Sequence, residues 1–186
     1  MDFFAATSAG ARWAPKSPTQ SERAPITIVR LLPVSRADLL DAQAKYEEAI
    51  AEYRAILSRQ PNNILAANNL AWLLVLRGKD SQDALERING AIAIGGPTEN
   101  YLDTLGVIYL KIGRTEDAIL TLTNAIEQSP EPHIYFHLAL AQEKLKRVDE
   151  SKRSVRRALE LQLNEKNLHA LERDDWRRLV ASVTDP

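Results

Sequence analysis

The chain has 186 residues, 45% of them hydrophobic and 26% charged, which is enough for one domain with a buried interior. Lysine and arginine number 24 against 25 aspartates and glutamates, so a formal net charge of -1 offers neither the basic field of a nucleic-acid binder nor the acidic excess that draws a polycation. Cysteine is absent, which excludes disulfides, thiolate metal sites and thiol redox chemistry and leaves the compartment open.

Residues 1–33 scatter Pro15, Pro18, Pro25 and Pro33 among serine, threonine, alanine and arginine without sustained periodicity, and read as a flexible leader. Two apolar patches in it, Phe3 with Phe4 and the ITIVRLL run from Ile26, are able to fold back onto an exposed edge of the domain. The N-terminus lacks the charged start and long apolar core of a secretory signal, and no run reaches the length of a membrane span. The default expectation is a cytoplasmic protein with no membrane insertion, although a fragment of an exported protein would read the same way.

Ser35 followed by Asp38 marks a helix start, and apolar residues then recur at helical spacing through Leu39, Ala42, Tyr46, Ile50, Tyr53 and Leu57. With no glycine before Tyr46, this pattern fits one long helix as well as a hairpin. Pro61 and Asn62 end it, and Asn63 is placed to cap the next helix.

The clearest pattern lies between Tyr101 and Pro130. Leu102, Leu105, Ile108, Tyr109 and Ile112 share one helix face, Gly113 breaks the run, and Ile119, Leu122 and Ile126 form a second face, with Thr115 as a candidate cap. Gly106 and Ala118 lack bulk where two helices would touch, so the stretch predicts a helical hairpin closed by Pro130. The same pattern recurs: Ala49, Ala84, Ala118 and Ser151 occupy equivalent places at intervals of 35, 34 and 33 residues.

This period and these residues resemble the tetratricopeptide repeat family, whose unit is a helix-turn-helix of about 34 residues. The resemblance covers residues 36–163 and is best where Leu102, Leu105, Gly106, Tyr109, Ala118, Leu122, Ala125 and Pro130 occupy signature positions. Leu70, Ala71, Leu74, Ala84, Ile88 and Ala91 match in the preceding unit, which has one extra residue in its turn. Leu138, Ala139, Ser151, Val155 and Ala158 match in the following one, where Lys146 replaces the turn glycine and Leu163 the closing proline. The resemblance implies an all-α solenoid: a partial unit at 34–62, full units at 63–97, 98–130 and 131–163, and a capping helix with a tail at 164–186. In that last segment Leu171, Trp176, Leu179, Val180 and Val183 would face the array, with Trp176 as packing anchor, and Arg173, Asp174, Arg177 and Arg178 would face water.

Stacked hairpins lay their first helices along a concave surface. Asn68 and Trp72 with Asn69, then Asp103 and Val107 with Thr104, then Phe136 and Leu140 with His137 take equivalent places on those helices, outside the hairpin cores filled by Leu70, Leu105 and Leu138. These nine are the candidate partner contacts. Amides suit an extended peptide because each offers donors and an acceptor, and Trp72, Val107, Phe136 and Leu140 would supply apolar pockets. The expected function is protein–protein interaction, with a peptide segment or helix of a partner held in the groove of an adaptor or scaffold. Two plainer readings stand beside it. Asn68, Asn69 and Trp72 are able to serve only the packing between units, and the chain is able to serve as a structural or self-associating end of a longer array. The chaperone-binding type of the family holds a terminal carboxylate with basic side chains, and here Asn100 and Thr104 stand where its basic pair belongs.

No motif gathers a nucleophile, a base and an orienting group, so no enzyme and no cofactor are expected. His133 and His137 have the one-turn spacing of metal ligands, but Ile134 stands where the metalloprotease motif needs Glu. Gly95 and Gly96 precede Pro97 without the Lys-Ser or Lys-Thr of a phosphate loop, and Lys152, Arg153, Arg156 and Arg157 read as a solvated convex face diluted by nearby acids.

Overall fold

A computed structural model describes residues 35–184, and the leader assigned to 1–33 lies outside the described residues. The helices are α1 (Arg36–Ala42), α2 (Tyr46–Arg59), α3 (Ile64–Leu76), α4 (Ser81–Gly95), α5 (Glu99–Lys111), α6 (Thr115–Gln128), α7 (Pro132–Lys144), α8 (Val148–Glu160) and α9 (Arg173–Thr184). Short 3-10 turns at Glu165–Asn167 and Ala170–Glu172 lead into α9, and there is no strand among the described residues. The fold is therefore all-α, as the periodicity predicts.

Helices pair as α1 with α2, α3 with α4, α5 with α6 and α7 with α8, and each second helix also packs on the first helix of the next pair. Direct contacts of α3 with α5 and of α5 with α7 make an inner row of first helices, while α9 packs on α8. The sequence period thus becomes a spatial one: one hairpin per unit, stacked into a solenoid.

One turn geometry joins all the hairpins. Ala44, Gly78, Gly113 and Lys146 all take left-handed backbone, with φ of 59°, 61°, 86° and 60°. In each case the next amide donates back across the turn: Lys45 to Leu40, Lys79 to Leu74, Arg114 to Tyr109 and Arg147 to Gln142, all at 2.8–2.9 Å. These bonds satisfy orphan carbonyls of the first helix and reverse the chain. The open choice at Tyr46 thus resolves into two helices, because Ala44 adopts the conformation that glycine takes elsewhere. The extra residue of the second turn is absorbed at Asp80, whose φ is 31° and whose carboxylate caps α4 by accepting from the Asp83 amide.

Ser35 and Asp38 form a reciprocal capping box, and Asn63 accepts from the Ala66 amide at 3.0 Å, so both predicted starts hold. Thr115 does not cap α6. It is the first helical residue and is buried, and α6 has no side-chain cap. The close approach predicted at Gly106 is real: a Cβ there would lie 2.6 Å from Leu122 Cγ. Ala118 is fully buried in the same hairpin. Trp176 and Leu179 of α9 bury themselves against Phe136, Val155, Leu163 and Leu168, with the Trp176 ring edge-on to Phe136 at 5.5 Å. Trp176 is the anchor of the cap, and Asp174, Arg177 and Arg178 face outward. No helix among the described residues is long and apolar enough to cross a membrane.

Candidate partner-binding groove

Polar side chains on the inner helices join neighbouring units. Asn69 on α3 donates to the Asp38 carboxylate on α1 at 3.1 Å, and Tyr53 and Ser35 donate to the same group. Burial opposes the charge of Asp38, but these hydrogen bonds hold its carboxyl below the usual range. Two units further on, His137 Nδ1 lies 2.7 Å from Asp103 Oδ1, and His137 Nε2 lies 2.7 Å from Glu172 Oε1. All three side chains are buried. Burial alone would discharge the imidazole, but the flanking carboxylates of Asp103 and Glu172 prevail and its pKa is pushed up to about 10. With both nitrogens committed, this histidine has none to offer a substrate. Among the described residues, no cluster of histidines and carboxylates has the arrangement of a metal site.

Between these two joints the pattern breaks. At the α3–α5 junction the places of Asp103 and His137 are taken by Asn68 and Thr104, and they do not bond. Thr104 Oγ1 turns to its own helix, donating to the Asn100 carbonyl at 3.1 Å. Asn68 Nδ2 donates to Asn69 at 3.3 Å, and Asn68 Oδ1 is the one buried side-chain polar atom among the described residues without a hydrogen-bond partner. A cavity of about 550 Å³ opens at this break, lined by Leu65, Asn68, Asn69, Trp72, Thr98, Glu99, Asn100, Tyr101, Asp103, Thr104 and His133.

The predicted contacts therefore divide. Asn68, Asn69, Trp72, Asp103 and Thr104 line the cavity. Val107, Phe136, His137 and Leu140 do not. Val107, Phe136 and His137 are buried, and Leu140 packs beside Phe136 under the C-terminal segment. Phe136 takes the place of Asn68, His137 that of Asn69, and Val107 and Leu140 that of Trp72, but Val107 is packed into the core shared by α1–α5 and residues 164–172 cross the concave side at α7. Glu172 reaches His137 on α7, and His169 Nε2 meets Asp41 of α1 at 3.1 Å, with its ring 5.8 Å from Tyr46. Tight curvature helps close this part of the groove, since the Trp72 and His137 rings, from α3 and α7, stand 5.4 Å apart. The plainer role considered for Asn69 and Trp72 is present as well: Asn69 bonds to α1 and the Trp72 ring packs, tilted, against His137 while both still line the cavity.

Stacked hairpins, an inner row of helices and a partly open concave face define a helical-repeat scaffold. The profile of the tetratricopeptide repeat family matches residues 34–97 and 104–162, and the chain belongs to that family. Members of the family serve generally in protein–protein interaction and scaffolding. No curated protein matches the chain in sequence. Among solved structures, TTC0263, a thermophilic TPR protein of Thermus thermophilus, superposes with a TM-score of 0.63 at 19% identity, covering 79% of this chain and 77% of that one. MamA from residue 41 onward, of Desulfovibrio magneticus RS-1, gives 0.59 at 18% identity over 67% and 71% of the two chains. A further MamA crystal structure gives 0.57 at 17% identity over 80% and 94%. These likenesses concern the fold.

Proposed function

We propose that the chain is an adaptor or scaffold that holds a peptide segment or helix of another protein in the open section of its concave groove. The observation that carries this reading is the cavity at the α3–α5 junction, where the inter-unit hydrogen bonding lapses and Asn68, Asn69, Trp72, Asp103 and Thr104 come together. It combines an aromatic wall, amides able to pair with a peptide backbone and a carboxylate, a mixture typical of binding clefts. Affinity capture from the source-cell lysate tests it, comparing the native chain with an Asn68→Ala, Trp72→Ala variant shown by circular dichroism to be folded. A partner held by the native chain and lost from the variant supports the groove. Capture of the same proteins by both forms refutes it.

A second reading, stacking of another copy on the first unit, is favoured by Leu39 of α1, whose side chain is 51% exposed. Light scattering over a range of concentrations separates the two, since only self-association raises the mass.

A further inference from the structure

We propose that the cavity receives a cationic side chain, arginine or lysine, from the partner segment; this rests on the groove reading above and adds the chemistry of its ligand. No lysine or arginine lines the cavity, whereas Glu99 and Asp103 do. The Asp103 carboxylate shares one imidazole, that of His137, with a second carboxylate, Glu172, at 2.7 Å on either side. The other Asp103 oxygen, Oδ2, stands 3.6 Å from His133 Nε2, longer than a hydrogen bond.

The charged lining of the cavity is thus acidic, from Glu99 and Asp103, beside the imidazole of His133 and with no lysine or arginine. A ligand carrying positive charge and N–H donors complements that lining. Guanidinium and ammonium groups have donors and no acceptor. The half-buried Trp72 and Tyr101 supply aromatic faces in the same cavity, against which a cation and the methylene stem behind it are attracted. A volume of about 550 Å³ admits such a side chain with part of its backbone. An anionic terminus, by contrast, would meet Glu99 and Asp103 with no lysine or arginine to pair with.

Selection of a random heptapeptide library on the full native chain, with counter-selection on the Trp72→Ala variant, tests the inference. The expected result is a set of Trp72-dependent peptides with arginine or lysine at one fixed place. Replacing that residue by citrulline or norleucine should weaken binding by about tenfold or more, as should Asp103→Asn, in line with loss of a charge-assisted contact. Because Asp103→Asn also disturbs His137, Glu99→Gln in the cavity lining provides a second variant, expected to weaken cationic peptides about threefold and to leave the citrulline peptide unchanged. Trp72-dependent peptides with no cationic preference would overturn this inference and leave the groove reading standing. Failure to find any Trp72-dependent peptide would overturn both.

Discussion

His137 and Asp103 lie 34 residues apart in sequence and 2.7 Å apart in space, and their contact joins α5 to α7 through the interior of the solenoid. Glu172 completes the joint from the C-terminal side. The His137 pKa is raised in the folded state from 6.5 to about 10, so the folded chain holds a proton that the unfolded chain releases. Its contribution to stability is fully present below pH about 6.5 and is lost as pH rises through about 10. Urea denaturation at pH 7 and at pH 10 should show a loss of stability across that window that is smaller in His137→Asn. An identical loss in both proteins would show that His137 does not carry it.

Glu172→Ala should destabilise the chain by about 1.5–3 kcal/mol, the range for a hydrogen bond to a charged group, because it leaves a buried imidazolium with one carboxylate in place of two. It should also loosen residues 164–172, which amide hydrogen exchange would report as faster exchange at Leu168 and Leu171. Glu172→Gln retains an acceptor and should cost less.

Gly106→Ala should cost about 1–3 kcal/mol through overpacking, since the new Cβ would meet Leu122 Cγ at 2.6 Å. The same range is expected for Ala118→Leu, where the original side chain is fully buried between α5 and α6. Combining Gly106→Ala with Leu122→Ala, which removes the clashing γ-carbon, should cost less than the two single changes added together if the clash is the cause, a test by thermal denaturation of the single and double variants.

Ala44→Gly and Lys146→Gly should each stabilise the chain by about 0.5–1 kcal/mol. Both residues hold left-handed backbone at a cost of about 1–2 kcal/mol, which glycine avoids while giving back part of the gain as unfolded-state entropy. The midpoint of chemical denaturation should rise in each variant and further in the pair.

The repeat is legible in the sequence because its packing requirements are local. Gly106, Ala118 and Ala84 mark places where backbones approach, and the spacing of equivalent small residues carries the hairpin period directly. The turns at Ala44 and Lys146 are less so, because the sequence offers no glycine and the left-handed conformation there is imposed by the helices that flank it. The inner face is legible only in part. Equivalent positions identify Phe136 and His137 as neighbours of the groove, but not that residues 164–172 cover them, since that contact depends on the curvature of the whole array. A signal does exist: Asp103 and His137 are polar residues one repeat apart on inner helices, and Glu172 follows one repeat later.

The most direct measurement of where a partner binds is site-specific photocrosslinking in source-cell lysate, with a benzophenone amino acid placed either at Leu65, on the cavity wall and 50% exposed, or at Leu120 of α6, 62% exposed and away from the cavity. A partner crosslinked from Leu65 and not from Leu120, and lost on Trp72→Ala, is the predicted result. The same partner crosslinked from Leu120 and not from Leu65 would contradict the account and move binding to the outer helices.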